Sequence, residues 1–491
     1  MVAVSSKRDR SGGRIRIGAD DPSLTGAGGM LAVTELCGKL NLTGALDEGI
    51  GPVKQRRRGF TGGQVLAGMA AAQLAGEDFL VGLDRVRADT AGQQITLVAG
   101  LSTSTATGIA RRFTGQHWRG AEAGLAAASA RMLAMLPAER AAELAGGPVT
   151  IDIDATDVEV YGSKKRGVAY NYAGQRAGRP HVASWAETEI PLAADLLSGD
   201  EDPRSSVVGL LGRALAALPR AVRDGTAAAG RKIALRADAG YFAGDLARAA
   251  TAEGMVFAIG AKRIPSMWKA LAGIADGAWR DAIDMKDAQV AVSPYHPADW
   301  PEGTVLVIRR VRLDPGQVSA DPRSRRRRTL HPGQRDMLFP ELAAEPAIYA
   351  YSFICTNIDC STPAKAAACE HWYRHRTAVE NIFRDSKHGA ALRHLPSGDE
   401  QVNTAWMWAS LIAAAIAAWC HQLTGLIIGG ELAEGHGTRG GKAMIATLRR
   451  ALIAIPARLV RHGGQLIMRL PPGTHLLPHV LATIRALPAP N

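Results

Sequence analysis

The order of strands and helices between residues 147 and 264 constrains the fold of this chain more than any other feature of its sequence. In PVTIDIDATDVEVYG, Ile151 and Ile153 fall on one face of a strand pattern, and Asp152 and Asp154 fall on the other. Two further strand patterns, an amphipathic helix, the strand pattern KIALRADAGYF, a second helix and the strand pattern MVFAIGAK follow. This order predicts an α/β domain with Asp154 on one strand and Asp238 at the end of a neighbouring strand, where open sheets bind ligands.

A second feature is the stretch YRHRTAVENIFRDSK at residues 373–387, which contains no Pro or Gly and predicts a helix. Its residues Tyr373, Arg376, Glu380 and Lys387 fall close to one stripe of such a helix. A carboxylate among cations suits a site that holds both a divalent metal and a phosphate. An ordinary surface helix with an Arg376–Glu380 pair is the alternative.

The spacing Y-x2-R-x3-E-x6-K resembles the signature of IS4-type DDE transposases, and the rest of the chain resembles the related IS1380 group of insertion-sequence transposases. The resemblance runs from about residue 76 to about residue 419 and includes GEDFLVGLDRVRAD, DIDATDVEVYG and LRADAGYF in the family's order. The strand and helix order of residues 147–264 is also what a ribonuclease H-like α/β fold needs. The resemblance further implies a β-rich insertion in that catalytic core.

The chain has 491 residues, which is more than one hydrophobic core usually accommodates. Pattern and composition, taken together with what the resemblance implies, divide it into a flexible basic arm (1–28), a helical N-terminal DNA-binding domain (29–146), a ribonuclease H-like core (147–264 and 351–425), a β-rich insertion (265–350) and a C-terminal helical region (426–491). In the last part, KAMIATLRRALIAIPARLVR predicts a final helix.

Three carboxylates, Asp154, Asp238 and Glu380, are the predicted catalytic residues and metal ligands. Phosphoryl transfer on DNA needs an activated hydroxyl and a stabilised leaving oxyanion, and two divalent ions can serve both. Mg²⁺ prefers oxygen ligands and keeps several waters, so three carboxylates suffice; Mn²⁺ takes the same ligands. Asp154 is preferred because it begins a D-x-T triplet that resembles the family's, and Asp152 and Asp157 remain rivals.

Other acidic residues have ordinary interpretations. Asp245 is predicted to be an acid in the first turn of a helix, and Glu187 and Glu189 are predicted to be strand acids. Asp385 lies about 140° round the motif helix from Glu380. These positions are therefore weaker candidates for metal ligands.

The resemblance implies that Tyr373, Arg376 and Lys387 bind DNA beside the scissile bond. The arginine can bind a phosphate through two N–H groups, and the lysine can contribute a single positive charge. It also implies a hairpin intermediate at the element's end, helped by an aromatic residue of the insertion that stacks on a flipped base. Trp268 and Trp300 are candidates for that residue, and packing in the core is the alternative for each.

The net charge of +12 favours a polyanionic partner, nucleic acid first. Arg56, Arg57 and Arg58 lie between predicted helices, and Arg111 and Arg112 end a short one, consistent with a helix-turn-helix-like unit on the DNA backbone. Helical hairpins with ordinary surface arginines are the alternative. The resemblance implies double-stranded DNA partners, the terminal inverted repeats and the target, and a homodimer in the synaptic complex.

Several classes of protein are disfavoured. The five cysteines form no CxxC pair, which indicates a reducing compartment and no zinc site. Residues 404–430 lack charged side chains and could span a bilayer by length, but their Ala-rich composition favours a buried core helix and no membrane partner. No P-loop is present. With no apolar N-terminal signal region, we expect a cytoplasmic, nucleoid-associated bacterial protein.

These features predict a DDE transposase that performs Mg²⁺-dependent DNA cleavage and strand transfer, the cut-and-paste transposition of an insertion sequence. Two alternatives stay open at this point. One is a ribonuclease H-like DNA nuclease without strand transfer, and the other is a DNA-binding protein that has lost catalysis.

Overall fold

The computed structural model describes residues 2–8, 14–56, 58–321, 323–376, 378–425, 438–439 and 442–488. Its N-terminal part is mostly helical, as the sequence predicts. The elements are β1 (Val2–Arg8), β2 (Arg14–Ile17), β3 (Leu24–Thr25), α1 (Met30–Lys39), α2 (Leu42–Ile50), α3 (Gly62–Ala75), α4 (Gly82–Ala88), α5 (Thr103–Ala110), α6 (Gly115–Met135) and α7 (Ala138–Gly146). Thr61 and Gln64 start α3 with a capping box, each side chain accepting a hydrogen bond from the other's backbone amide.

The next part alternates strands and helices. It contains β4 (Thr150–Ala155), β5 (Val158–Glu159), β6 (Ala169–Tyr170), β7 (Arg176–Trp185), β8 (Ile190–Ser198), α8 (Val207–Ala217), α9 (Arg220–Ala228), β9 (Ala234–Ala237), α10 (Gly244–Ala252) and β10 (Val256–Ala261). The predicted antiparallel pair, β7 and β8, and the predicted strands that end near Asp154 and Asp238 are all present. The α/β class predicted from the sequence is therefore confirmed.

The remaining elements run to residue 486. They are α11 (Pro265–Ala272), β11 (Arg280–Asp281), β12 (Ala288–Ser293), β13 (Val305–Leu313), α12 (Pro332–Arg335), α13 (Phe339–Ala344), β14 (Ile348–Thr356), α14 (Pro363–Arg374), α15 (Ala378–Gly389), α16 (Glu400–Thr424), β15 (Thr438–Arg439), β16 (Lys442–Ala443), α17 (Ile445–Leu448), β17 (Ala457–His462), β18 (Gln465–Arg469) and α18 (Leu476–Ala486).

One mixed sheet organises the central part of the molecule. Its strand order is β11-β12-β13-β14-β10-β9-β4-β7-β5, and β6 and β8 also pair with β7. The strands β4, β9 and β10 are parallel, and the register sets Ile153 opposite Ala237. Because parallel neighbours end at the same edge, the residues that follow this pair, Asp154 and Asp238, come together there.

The apolar segment predicted as a core helix forms α16, which is buried from residue 402 to residue 420, while residues 426–430 of that segment lie outside the described residues. By length and composition α16 could cross a membrane. In the structure it packs chiefly against α3 and β8. Trp406 and Trp419 are inaccessible to solvent, and their indole groups donate to the Ala391 carbonyl at 3.0 Å and the Ser129 hydroxyl at 3.3 Å. The segment is thus part of the hydrophobic core.

The motif stretch 373–387 is not the single helix that the sequence predicts. Tyr373 lies near the end of α14, Arg376 lies beyond it, and Glu380 and Lys387 lie on α15. The break lets the guanidinium of Arg376 reach the end of β4. Tertiary contacts of this kind outweigh the local helical propensity of the sequence.

The helix predicted over KAMIATLRRALIAIPARLVR is wrong in its second half. Helical structure stops before Pro456, which has no N–H to donate. The residues after it form β17, which pairs with β18 on one side and with β3 on the other. Gly463 and Gly464, with φ of 57° and 79°, make the two-residue turn between β17 and β18. The C-terminal part is therefore mixed rather than helical.

Candidate active site

The carboxyl edge of β4, β9 and β10 opens into a pocket of about 850 Å³. Asp154 and Asp238 line it together with Lys262, which follows β10. Sequence reasoning missed Lys262, although a cation directly after the third parallel strand was a usable signal. The acidic run at residues 200–202 also lines the pocket. The site thus combines hard oxygen donors with a cation at the end of a neighbouring strand.

Arg376 supplies the countercharge for Asp154. Its guanidinium lies 3.2 Å from a carboxylate oxygen of Asp154 and donates to the Ile153 carbonyl at 3.4 Å. Burial raises the pKa of Asp154 to about 6, an effect that Arg376 opposes and that the charge of Asp238 reinforces. Burial alone would lower the pKa of Arg376, but the surrounding acids, Asp154 first, raise it. The two side chains therefore stabilise each other's charged forms.

Tyr373 is fixed beside Asp238 by backbone contacts. Its hydroxyl donates to the Ala237 carbonyl at 3.1 Å, and burial raises the pKa of its phenol to about 12. A Cβ on Gly260 would lie 2.6 Å from the Tyr373 hydroxyl oxygen, so this approach needs glycine there. One carboxylate oxygen of Asp238 accepts from the Gly240 amide at 2.7 Å and caps the following turn.

Lys387 anchors the loop after β4. Its ammonium donates to the Thr156 hydroxyl at 2.7 Å and to the Asp157 carbonyl at 2.8 Å. Burial lowers its pKa. Together with Arg376 and Tyr373, it ties the motif segment to the ends of β4 and β9.

Glu380 does not join the other two predicted ligands in a cluster of the described residues that could hold a metal ion. It is exposed in the first turn of α15. Within the described part of the chain, no group of three His, Cys, Asp or Glu residues is placed to hold a metal ion. Glu380 is close enough to contribute to the raised pKa of Asp152, whose main cause is burial. The oxygen donors of Asp154 and Asp238 fit a divalent cation, and Glu380 would have to approach them to complete a triad.

The rival Asp152 is engaged in a buried ion pair. Arg236 donates to its two carboxylate oxygens at 2.7 and 2.9 Å, and the pair is almost inaccessible to solvent. Arg236 also donates to the Trp372 carbonyl at 2.7 Å and lies over the indole ring. These contacts fasten α14 to β4 and β9. Sequence reasoning missed Arg236, although an arginine inside the apolar strand LRA signals a buried charge that needs a partner.

The other acidic residues also have hydrogen-bond or ion-pair partners. Asp157 accepts from Arg179 at 2.7 Å and from Asn171 at 2.8 Å. Asp245 is exposed in the first turn of α10 and pairs with Arg248, while Asp385 accepts from the Ile445 amide at 2.6 Å. Glu187 and Glu189 are not strand acids as predicted, since they lie in the turn between β7 and β8. Their carboxylates accept from the Thr150 amide at 3.0 Å and the Asn381 side chain at 2.9 Å.

Basic residues of two distant segments meet in the N-terminal part. Arg56, Arg58 and Arg112 line one pocket together with Lys54. Arg57 lies outside the described residues. Arg111 is exposed at the end of α5 and is not among the residues that line this pocket. The structure therefore brings the cations Lys54, Arg56 and Arg58 to the same pocket as Arg112.

The two tryptophans considered for base stacking are packed. Trp300 is 9% exposed and contacts the rings of Phe242 and Phe257. The ring of Trp268 makes edge contacts with Tyr351 and Phe353. These contacts fit the alternative of core packing.

Comparisons with known proteins point to one family. A family model described as "Transposase DDE domain group 1" matches residues 7–320, a span that includes Asp154 and Asp238 and ends before Glu380. No match was found among curated proteins. Among solved structures, the chain is similar to a piggyBac transposase in a synaptic complex with hairpin DNA. The TM-score is 0.40 at 9% identity, over 86% of this chain and 79% of that chain, which is too low to support an inference.

Proposed function

The chain belongs to the family of group 1 DDE transposase domains, and we propose that it excises and inserts its own insertion element by Mg²⁺-dependent DNA cleavage and strand transfer. DDE transposases are DNA-acting enzymes that generally use divalent metal ions. The observation that carries the proposal is the parallel register of β4 and β9, which sets Asp154 beside Asp238 at a pocket rimmed by Lys262.

Asp154, Asp238 and Glu380 are the proposed ligands of the metal, with Mn²⁺ as an alternative to Mg²⁺. When bound, the metal would activate the attacking oxygen and stabilise the leaving oxygen. In the structure, Arg376 balances the charge of Asp154. We propose that the guanidinium instead contacts a DNA phosphate when substrate enters, because its fork geometry matches phosphate oxygens.

Lys387 and Tyr373 position the site through their bonds to the loop after β4 and to the end of β9. In the proposed complex they also lie beside the scissile phosphate. Glu380 is exposed at the start of α15. In the proposed complex it moves toward Asp154 and Asp238 when DNA or metal binds. The triad would then be completed only in the loaded enzyme.

The family resemblance supports finer proposals as well. We assign the chain to the IS1380 group and its sheet to a ribonuclease H-like core interrupted by residues 265–350. We place terminal-repeat recognition in residues 29–146, with Arg56, Arg57, Arg58, Arg111 and Arg112 on the DNA backbone. A homodimeric synaptic complex in the cytoplasm completes the proposal.

Strand transfer is the test that separates this function from a plain nuclease. A labelled duplex with a free 3′-hydroxyl at the element's end is incubated with a supercoiled target and Mg²⁺. We expect a joined product, and none in the presence of a chelator. Metal-dependent nicking of the target without any joined product would contradict transposition and indicate a nuclease.

The basic pocket at Arg112 leads to a prediction about salt dependence. Replacing Arg112 by alanine is expected to weaken duplex binding and to reduce the slope of log K against log salt by about 1, because one phosphate contact releases about one counterion. Fluorescence anisotropy between 50 and 200 mM salt, a range of about fourfold, measures this slope. Arg231→Ala, an exposed arginine beyond α9, is the matched control. An unchanged slope in Arg112→Ala would remove this pocket from the DNA interface.

A further inference from the structure

Three tyrosines between β5 and β7 are exposed to solvent. Tyr161, Tyr170 and Tyr172 are 89%, 69% and 97% exposed. Large aromatic side chains are normally well buried, so a group of exposed rings within twelve residues marks an interaction surface. We call residues 161–172 the tyrosine segment.

Tyr172 belongs to both the tyrosine segment and the catalytic pocket. It lines the same pocket as Asp154 and Asp238. The preceding residue, Asn171, is buried and accepts from the Ala173 and Gln175 amides at 3.0 and 2.9 Å. Its side-chain amide donates to Asp157 at 2.8 Å. The turn that carries Tyr172 is therefore fixed to the loop after β4, and its exposed ring lines the pocket.

The other two tyrosines lie close to Arg176, the first residue of β7, with Tyr161 after β5 and Tyr170 in β6. Tyr170 is opposite Arg176 in the pairing of β6 with β7, and Arg176 donates to the Gly162 carbonyl, next to Tyr161, at 2.6 Å. The same arginine donates to the Lys165 carbonyl at 2.8 Å. One side chain thus holds residues 162 and 165, and the pairing of β6 with β7 sets Tyr170 beside the same arginine.

The tyrosine segment is also basic and anchored. Lys164 and Arg166 are exposed, and Arg166 pairs with Asp399 at 2.6 Å, at the start of α16. Lys165 donates to the Leu395 carbonyl. Aromatic rings beside cations on an ordered surface form a combination that binds unpaired nucleic acid, because bases stack on the rings while the cations follow the backbone.

We propose that the tyrosine segment is a binding site for unpaired DNA nucleotides, with Tyr172 stacking on a base at the pocket mouth and Tyr161 and Tyr170 extending the surface along the strand. The inference rests on the proposed function, which brings a DNA strand to Asp154. It adds a contact that does not depend on the DNA sequence, since every base offers a face for stacking. It also places aromatic contact on the core sheet, away from Trp268 and Trp300.

The test measures the binding of single-stranded DNA to the protein without divalent metal. A labelled oligothymidylate of about 12 nucleotides, within the usual site sizes, is titrated by anisotropy in chelator, beside a duplex of equal length. Tyr172→Ala is expected to weaken single-strand binding about 10-fold or more, the usual effect of losing one stacked base. Tyr172→Phe should retain binding, because the ring and not the hydroxyl makes the contact. The exposure of Tyr172 means that neither change removes core packing.

Phe339→Ala removes a partly exposed ring on α13 and is the matched control. Single-strand affinity of Tyr172→Ala within twofold of wild type would overturn the proposal, and so would an equal loss on the duplex or in Tyr172→Phe. If the wild-type protein joins DNA ends but Tyr172→Ala keeps its affinity for single-stranded DNA, only this inference is rejected. If Tyr172→Ala loses affinity for single-stranded DNA but the wild-type protein never joins DNA ends, only the proposed function is rejected.

Discussion

Asp154→Asn is expected to lower metal-dependent cleavage of an element-end duplex by about 1,000-fold or more. The change removes an anionic oxygen donor at the carboxyl end of β4 and keeps the shape of the side chain. Stabilisation of transition-state charge by a bound metal is worth several kcal/mol, and each 1.4 kcal/mol or so is a factor of ten in rate. Gel-based cleavage with Mg²⁺ measures the effect, and Mn²⁺ binding followed by electron paramagnetic resonance measures loss of the ligand directly.

Two companion variants make the result specific. Asp245→Asn removes an exposed acid that pairs with Arg248 on α10, and it should cleave like wild type. The cleavage activity of Glu380→Gln should fall as far as that of Asp154→Asn if the exposed carboxylate joins the triad when metal and DNA are bound. Cleavage that persists in Glu380→Gln would remove Glu380 from the ligands. Cleavage that persists in Asp154→Asn would reject the site itself.

Arg236→Met is expected to lower the free energy of unfolding by about 3–5 kcal/mol, since it leaves the carboxylate of Asp152 buried without its partner. The same change removes the bond to the Trp372 carbonyl, so α14 loses an attachment to the sheet. Urea unfolding followed by circular dichroism measures the loss. Cleavage by the folded fraction should also fall, because Tyr373 and Arg376 follow Trp372 in the chain.

A double variant separates lost pairing from lost packing. Arg236→Met combined with Asp152→Leu replaces both charges with apolar groups and should recover most of the stability. Arg220→Met, which breaks an exposed pair with Asp224, is the control and should change stability by less than about 1 kcal/mol. If Arg236→Met were no worse than Arg220→Met, the ion pair would not be what holds α14 to the sheet.

The sequence predicted the sheet through its periodicity and the first two carboxylates through their positions at strand ends. Those features are local, because alternation and strand order can be read directly from neighbouring residues. The break after α14 could not be read in this way. It depends on a contact between Arg376 and Asp154, which lie 222 positions apart in the chain. The helical periodicity of residues 373–387 is compatible with one helix or with two.

The partner of Asp152 was missed for a related reason. Arg236 appears in the sequence as a single charged residue within a strand, and only the parallel pairing of β4 with β9 brings the two together. The assignment of Glu380 as third ligand remains a prediction, since the residue is exposed and no carboxylate triad forms in the described residues. The exposure of Tyr172 could not be inferred either, because strand patterns do not say which loop rings stay uncovered.

The burial of α16 against α3 and β8 has a consequence for biosynthesis. A ribosome must add residue 424 before the last turn of that helix exists, by which time the helical N-terminal part and most of the strands have already emerged. Until then, apolar faces of α3 and β8 lack their common partner, and partly folded chains with such faces are prone to aggregate. Chains truncated before residue 400 should therefore depend on chaperones, whereas those that include α16 should be able to complete both layers in a single late step.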